Sequence, residues 1–161
     1  MNRIAILLAT YNGERWLDEQ LDSLFAQEQV DVTIFASDDG STDSTPMLLQ
    51  ARASARLILL PEAARSGSAA GNFFRLLRDV DFSGFDAVAL SDQDDIWHTG
   101  KLARALRLMQ TYDVDAVSGN VMAFWPDGRR VLLAKSQPQQ AWDYYFEAAG
   151  PGCTYVLSNR L

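Results

Sequence analysis

The opening of the chain most constrains its fold, because residues 4–9 form an uninterrupted apolar run. Such a run, followed by polar Thr10, Tyr11 and Asn12, is typical of a strand that is buried on both faces and ends in a loop. Leu17, Leu21, Leu24 and Phe25 then recur at helical spacing, opposite a set of acidic side chains. A doubly buried strand followed by an amphipathic helix predicts a parallel sheet with helices on its faces.

The alternation of strand and helix patterns continues along the chain. Further strand patterns cover residues 32–36, 57–60, 87–90 and 154–157, and further helix patterns cover residues 46–51, 73–80 and 102–109. Residues 114–124 have strand character that Gly119 interrupts, and a turn at residues 126–128 leads into another apolar stretch. Thr45 and Pro46 are predicted as the N-cap and the first residue of the second helix. The predicted fold class is therefore α/β with a mainly parallel sheet.

Composition excludes several classes of protein. The chain has 161 residues, 48% of them hydrophobic, which fits a single globular domain over residues 1–161. Its formal net charge of -7 disfavours binding to nucleic-acid phosphates, so we expect no nucleic-acid partner. The single Cys153 cannot form an internal disulfide, and the start lacks the features of a secretory signal. We expect a cytoplasmic protein, with any membrane association peripheral or outside this chain, because no apolar run is long enough to span a bilayer.

Unusual polar residues follow three of the predicted strands. The residues after the first, second and fourth strands are Thr10, Tyr11, Asn12, Asp38, Asp39, Asp92, Asp94 and Asp95. Ligands of open parallel sheets bind beyond the carboxyl ends of the strands, so these residues are candidate site residues. Several carboxylates on one rim repel each other unless a cation compensates, and oxygen ligands select a hard ion such as Mg²⁺ or Mn²⁺.

Each of these features also has an ordinary structural interpretation. Residues 40–43 are a common turn that leads into a helix, which accounts for them but not for the pair Asp38 and Asp39. The acidic residues 92–95 could be a solvated loop with one capping carboxylate, although three acids in four positions favour a cation. Arg65 either meets a phosphate or a base edge or is exposed on a flexible loop, and Trp97 either stacks on a sugar or packs under the next helix.

Motifs that are missing narrow the chemistry. The chain has no phosphate-binding loop of the ATPase type, no dinucleotide-binding glycine fingerprint and no nucleophile elbow of a serine hydrolase. A sugar-phosphate nucleotidyltransferase would need a glycine-rich basic loop after the first strand, where this chain has Thr10, Tyr11 and Asn12. The acidic strand ends therefore remain the main functional signal.

Three segments together resemble the family 2 glycosyltransferases. They are residues 9–13, 37–43 and 91–95, which match the family in order and separation. Within the family, the hexapeptide at residues 92–97 and the segment from Gly152 to Arg160 are most similar to the bacterial rhamnosyltransferase branch. The resemblance implies a GT-A fold, a Rossmann-like three-layer α/β/α arrangement that binds a nucleoside-diphosphate sugar.

The resemblance also implies roles for individual residues. The implied nucleotide-binding residues are Thr10, Tyr11, Asn12, Asp38, Asp39, Arg65 and Asp92, and the implied metal ligand is Asp94, with Mg²⁺ or Mn²⁺ as the cofactor. By similarity, Asp39 accepts a hydrogen bond from a pyrimidine N3–H, Asp38 supports that loop, and Asp92 faces the ribose or the donor sugar. Asp95 is implied as a helper of the metal ligand.

The function that this resemblance implies is metal-dependent, inverting transfer of a sugar, with rhamnose suggested by the branch. The donor is expected to be a UDP- or dTDP-sugar, and the acceptor a polysaccharide or a lipid-linked saccharide at the inner face of the plasma membrane. The family's catalytic base follows the strand that residues 155–157 resemble, so we expect the base beyond Leu161 and the chain to be the N-terminal part of a longer enzyme. The alternative is a non-catalytic module that binds the sugar nucleotide without turnover.

Overall fold

The structure is a computed structural model that describes residues 1–135, 140–145 and 148–160. The strands are β1 (Asn2–Thr10), β2 (Val30–Asp38), β3 (Leu57–Leu59), β4 (Ala87–Ser91), β5 (Ala116–Val117), β6 (Val121–Phe124), β7 (Arg130–Leu133) and β8 (Val156–Ser158). The helices are α1 (Leu17–Phe25), α2 (Thr45–Arg52), α3 (Ala69–Asp79) and α4 (Lys101–Tyr112). Short 3-10 turns lie at Asp143–Tyr145 and Gly152–Thr154.

The central sheet has six strands in the order β3-β2-β1-β4-β8-β5. Strands β1 to β4 pair in parallel, whereas β8 runs antiparallel to both β4 and β5. The consecutive strands β1, β2 and β3 are joined by helices, as parallel pairing requires. The predicted α/β class with a mainly parallel sheet is confirmed.

Strand β1 lies at the centre of the sheet and contributes to a core on each face. Ile4, Ile6 and Leu8 pack on one face, where helices α1, α2 and α4 bury their apolar sides. Ala5 and Leu7 point to the opposite face and pack against Leu76 of α3 and its neighbours. The alternation of side chains along a strand therefore explains why residues 4–9 are apolar without interruption.

The register of β1 with its neighbours brings three loops to one edge of the sheet. Thr10 at the end of β1 is paired with Asp38 at the end of β2. On the other side, Leu8 of β1 is paired with Ser91 at the end of β4. Because all three strands are parallel, the polar residues that follow them lie next to one another.

The start of α2 differs from the prediction that Thr45 is the N-cap. The helix begins at Thr45 itself, Ser44 is the N-cap, and the Ser44 side chain makes no capping hydrogen bond. The Thr45 hydroxyl is used elsewhere, since it accepts a hydrogen bond of 2.8 Å from the backbone N–H of Gly13. The carboxylate of Asp43 instead accepts the Thr45 N–H at 3.0 Å. The Thr45 hydroxyl thus makes a long-range contact to the first loop, and Asp43 supplies the local hydrogen bond at the start of the helix.

The stretch predicted as one interrupted strand over residues 114–124 divides between two sheets. Strand β5 joins the central sheet beside β8, while β6 pairs with β7 in a separate two-stranded antiparallel sheet. The turn predicted at residues 126–128 connects the two strands of this hairpin. Within the described part of the chain, no helix has the length and apolar character that crossing a membrane requires.

Candidate functional site

A cavity of about 290 Å³ opens at the edge of the sheet where β1, β2 and β4 end. The residues that line it are Ala9, Thr10, Tyr11, Asp39, Arg65, Gly67, Ser68, Ala69, Asn72, Asp92, Gln93 and Asp94. The structure therefore brings Thr10, Tyr11, Asp39, Arg65, Asp92 and Asp94 of the predicted site residues to one cavity. Such a concave site at the carboxyl ends of parallel strands is where open α/β sheets bind ligands.

Asp39 is held rigidly on one side of the cavity. Its side chain is 7% exposed, and its two carboxylate oxygens accept the backbone N–H groups of Ser66 at 2.5 Å and Gly67 at 2.9 Å. Burial acts to raise the pKa of Asp39, but these hydrogen bonds and the nearby Arg65 outweigh it and hold the pKa below its usual range. Asp39 therefore carries a stable negative charge on this wall.

Arg65 and Tyr11 form a second wall. The guanidinium carbon of Arg65 lies 4.3 Å from the centroid of the Tyr11 ring, which is the geometry of a cation–π contact. The side chain of Arg65 also packs beside Gly40, whose positive φ of 77° favours glycine. Arg65 therefore lies on the cavity wall while it stays exposed in its loop, and its contact with a ligand stays a prediction.

Asn12 and Asp38 do not line the cavity. The Asn12 side-chain oxygen accepts the Thr42 N–H at 2.8 Å, and the Asn12 N–H donates to the Ser41 hydroxyl at 2.8 Å. Asp38 accepts hydrogen bonds from the Thr10 hydroxyl at 2.9 Å and from the backbone N–H of Ser41 at 2.8 Å. Both residues therefore fix the loops after β1 and β2 against each other, a role that the resemblance assigned to Asp38 alone.

Gln93 connects the loops after β1 and β4, and no local sequence pattern predicts this connection. Its side chain accepts the Tyr11 N–H at 2.7 Å and donates to the Tyr11 carbonyl at 2.8 Å. Gly13 passes so close that a Cβ built on it would lie 2.5 Å from the Gln93 side-chain oxygen. The Gln93 amide thus pairs with the backbone of Tyr11 as a neighbouring strand would, and it fixes the Tyr11 backbone.

Asn72 and Arg75 of α3 support the end of β2 and were also not predicted. The Asn72 side-chain amide donates to the Ser37 carbonyl at 2.8 Å, and Arg75 donates to the Ser37 hydroxyl at 2.9 Å. Arg75 also donates to the carbonyl of Pro61, at the start of the loop that carries Arg65. Helix α3 therefore contacts both strand β2, which ends just before Asp39, and the loop whose backbone N–H groups donate to Asp39.

An acidic cluster adjoins the cavity at Asp92, which is one of the lining residues. Carboxylate oxygens of Asp92 and Asp95 and the sulfur of Cys153 all lie within 4.8 Å of one another. Burial raises the pKa of both carboxyls, and the negative charge of Asp94 raises each further. The ionised forms of Asp92 and Asp95 are therefore destabilised unless a positive charge lies beside them.

One positive side chain already faces this cluster. Lys101 at the start of α4 donates to the carbonyl of Cys153, and burial lowers its pKa to about 7, despite the nearby Asp95 and Asp92. Its ammonium lies 2.9 Å from the centroid of the Trp97 ring. Trp97 is only 5% exposed and belongs to the core, so its packing interpretation is the one that the structure supports.

The donor set of the cluster fits a hard divalent cation. One oxygen of Asp95 is buried and has no hydrogen-bond partner among the described residues, which leaves it available as a ligand. Burial raises the pKa of Cys153 to about 12, so the thiol stays protonated and is a poor metal ligand. The available ligands are then carboxylate oxygens, which Mg²⁺ and Mn²⁺ prefer. Asp94 lies at the exposed side of the same cavity.

Replacing Gly13 by Ala tests the contact between the loop after β1 and the loop after β4. We expect Gly13→Ala to lower the free energy of unfolding by about 1–3 kcal/mol, because the new Cβ overlaps the Gln93 side chain. In a Gln93→Ala background the overlap is gone, so the same change should cost about 0.5 kcal/mol or less. Urea unfolding of the wild type, the two single variants and the double variant measures the coupling free energy between residues 13 and 93. Additive losses of unfolding free energy would contradict this contact.

The pKa of Asp39 predicts a pH-dependent contribution to stability. Because the folded-state pKa lies below the unfolded value, Asp39 stabilises the fold above about pH 4 and loses that effect as the pH falls through the folded value. Asp39→Asn should therefore cost on the order of 2 kcal/mol at neutral pH and less in acid.

Urea unfolding of the wild type and Asp39→Asn at several pH values between neutral and acid measures this difference. The matched control is Asp31→Asn, an exposed change at the opposite end of β2, which should leave the free energy of unfolding nearly unchanged. A difference for Asp39→Asn that grows as the pH falls would refute the assignment.

Comparison with known proteins identifies relatives of the whole chain. The chain is 45% identical over 156 residues to the dTDP-rhamnosyl transferase RfbG of Shigella flexneri, which covers 95% of this chain and 54% of that protein. The chain thus spans about half the length of this relative.

Solved structures share the fold at lower identity. Residues 1–349 of Staphylococcus aureus TarS superpose with a TM-score of 0.66 at 19% identity, covering 97% of this chain and 47% of that one. The Pyrobaculum calidifontis mannosyltransferase PcManGT, solved with GDP-Man and Mn²⁺, gives a TM-score of 0.66 at 21% identity, covering 99% of this chain and 45% of that one. These likenesses confirm the predicted GT-A fold. The model of the family Glycosyl transferase family 2 matches residues 5–150, and the chain therefore belongs to the family 2 glycosyltransferases.

Proposed function

We propose that this chain binds the nucleoside-diphosphate sugar donor, with a divalent metal ion, for an inverting glycosyl transfer. The observation that carries the proposal is one cavity that is lined by Asp39 and also by Asp92 and Asp94, with Asp92 shared between this cavity and the acidic cluster. A pyrimidine nucleoside would lie against Asp39, and the diphosphate would lie toward Asp92 and Asp94. Both ends are built by loops that the parallel pairing of β1, β2 and β4 holds together.

The nucleoside end offers contacts that suit uracil or thymine. Each carboxylate oxygen has two lone pairs, so Asp39 can accept a base N3–H while it keeps the hydrogen bonds from Ser66 and Gly67. Tyr11 and Arg65 provide an aromatic face and a planar cation beside it. The N3 position carries a hydrogen in uracil and thymine but not in cytosine, so this end discriminates among pyrimidines.

The diphosphate end offers the charge that a bound metal requires. Asp92, Asp94 and Asp95 carry three negative charges when ionised. Burial lowers the pKa of Lys101 to about 7, so its amine balances at most one of them, and the excess negative charge favours a divalent cation. When bound there, Mg²⁺ or Mn²⁺ would supply positive charge beside the departing nucleoside diphosphate. Asp94 would be the main ligand, with Asp92 facing the sugar and Asp95 in support.

The residues of the chain would contribute mainly by positioning the donor. Gln93 fixes the Tyr11 backbone, while Asn12 and Asp38 fix the loop beside Asp39. A donor held at both the base and the diphosphate presents its anomeric carbon in a fixed orientation, which lowers the entropic cost of the reaction. We assign none of the described residues the role of the base that deprotonates the acceptor.

The relatives support a finer proposal for the substrates. The Shigella flexneri protein is named a dTDP-rhamnosyl transferase, so we propose a dTDP-linked deoxysugar such as rhamnose as the donor sugar. The acceptor is proposed to be a saccharide of a surface polysaccharide or of a lipid-linked precursor, which would place the reaction at the cytoplasmic face of the membrane. PcManGT was solved with Mn²⁺, which supports the metal proposal.

Calorimetric titration tests the proposal directly. We expect dTDP and UDP to bind more tightly with Mn²⁺ than without it, and Asp94→Asn to remove most of this metal effect. Asp39→Asn should weaken both nucleotides about tenfold to a hundredfold, because it removes a charge-assisted hydrogen bond. CDP should bind more weakly than UDP to the wild type, and Asp39→Asn should reduce that preference.

Asp31→Asn is the matched control, since Asp31 is exposed and lies at the opposite edge of the sheet. It should leave nucleotide binding unchanged with and without metal. Metal-independent binding, or equal binding of CDP and UDP by the wild type, would argue against this arrangement of the donor.

A further inference from the structure

The hairpin formed by β6 and β7, residues 121–133, is an exposed apolar element. It forms a two-stranded sheet of its own, separate from the six-stranded sheet. On one face Met122 lies opposite Leu132, with exposures of 47% and 57%, and Phe124 is exposed to 55%. The other face carries Val131 and Leu133, which are also exposed by more than two fifths. Apolar side chains are thus open on both faces of the hairpin.

A two-stranded hairpin of this kind is marginally stable by itself in water. A contiguous exposed apolar patch on a folded domain commonly marks a surface that binds another molecule. The hairpin therefore suits an environment that covers its apolar side chains.

The charge of the hairpin is opposite in sign to that of the chain. Residues 121–133 contain two basic residues and one acidic residue, a net charge of +1, while the whole chain carries -7 and the remainder therefore -8. The single acid, Asp127, accepts the backbone N–H of Arg129 at 3.0 Å and so takes part in the turn. The hairpin is a local positive patch on an acidic molecule, which would orient it toward a negative surface.

The tip of the hairpin combines an aromatic ring with two arginines. The guanidinium carbon of Arg129 lies 3.9 Å from the centroid of the Trp125 ring, and Arg130 pairs across the strands with Phe124. Tryptophan and arginine side chains have an apolar body and a polar end, so they lie favourably at the boundary between lipid headgroups and acyl chains. Guanidinium groups also bind phosphate with directed hydrogen bonds.

We propose that the β6–β7 hairpin docks the protein onto an anionic lipid surface. Phe124, Leu132 and Trp125 enter the acyl boundary, and Arg129 and Arg130 contact lipid phosphates. The charges favour lipid over a symmetric contact between two copies of the chain, because such a contact brings four arginines together. This docking does not depend on nucleotide binding, so it can be tested whether or not the proposed function holds.

Co-sedimentation of the chain with vesicles tests the docking. We expect binding to phosphatidylcholine vesicles that contain phosphatidylglycerol, weaker binding at high salt, and much weaker binding to phosphatidylcholine alone. The double variant Arg129→Gln/Arg130→Gln should bind the anionic vesicles about thirtyfold more weakly, because each arginine contributes about fivefold near an anionic surface. Phe124→Ser/Leu132→Ser should weaken binding at both low and high salt.

Matched control variants lie elsewhere on the surface. Phe74→Ser replaces an exposed phenylalanine of α3, and Arg104→Gln/Arg107→Gln removes two exposed arginines of α4. These controls should bind anionic vesicles like the wild type. The arginine variants change only exposed side chains, so they remain informative even where the apolar variant folds poorly.

Three outcomes would overturn the proposal. The first is the absence of binding to anionic vesicles by the wild type, and the second is equal loss of binding in the hairpin and control variants. The third is a shift of sedimentation velocity that hairpin variants abolish while vesicle binding is unchanged, because the hairpin would then cover a second copy of the chain.

Discussion

The parallel pairing of β1 with β2 on one side and β4 on the other determines where every proposed ligand group lies. The register places Thr10 beside Asp38 and Leu8 beside Ser91, so the loops that follow all three strands open at one edge. A slip of β1 by one residue would exchange the set Ile4, Ile6 and Leu8 with the smaller set Ala5, Leu7 and Ala9, so side-chain volume specifies the register. The hydrophobic core therefore fixes the geometry of a polar site.

The carboxylates of the site lie in two different electrostatic environments. The backbone N–H groups of Ser66 and Gly67 stabilise the charge of Asp39 and keep its pKa low. In the acidic cluster the pKa values of Asp92 and Asp95 are raised, because burial and the negative charge of Asp94 oppose their charged forms. A carboxylate whose charge is already stabilised by hydrogen bonds is suited to recognise a neutral base. Buried carboxylates whose charges lack such stabilisation are suited to bind a cation.

Much of the fold and part of the site could be predicted from the sequence. Doubly apolar strands and amphipathic helices are local patterns, and strand ends predict where polar loops cluster, which points to Asp39, Asp92 and Asp94. No local pattern predicts the roles of Gln93, Arg75 and Lys101, because each contacts a partner that is distant in the sequence. The N-cap of α2 was mispredicted for the same reason, since Gly13 engages the Thr45 hydroxyl.

The central claim is that a single cavity holds the base beside Asp39 and the diphosphate beside Asp94. A crystal structure of the protein with dTDP and Mn²⁺, with data collected at the manganese absorption edge, tests it most directly. The account predicts an anomalous peak next to Asp94 and thymine N3 within hydrogen-bond distance of the Asp39 carboxylate. Manganese bound away from Asp92, Asp94 and Asp95, or a base that does not approach Asp39, would contradict it.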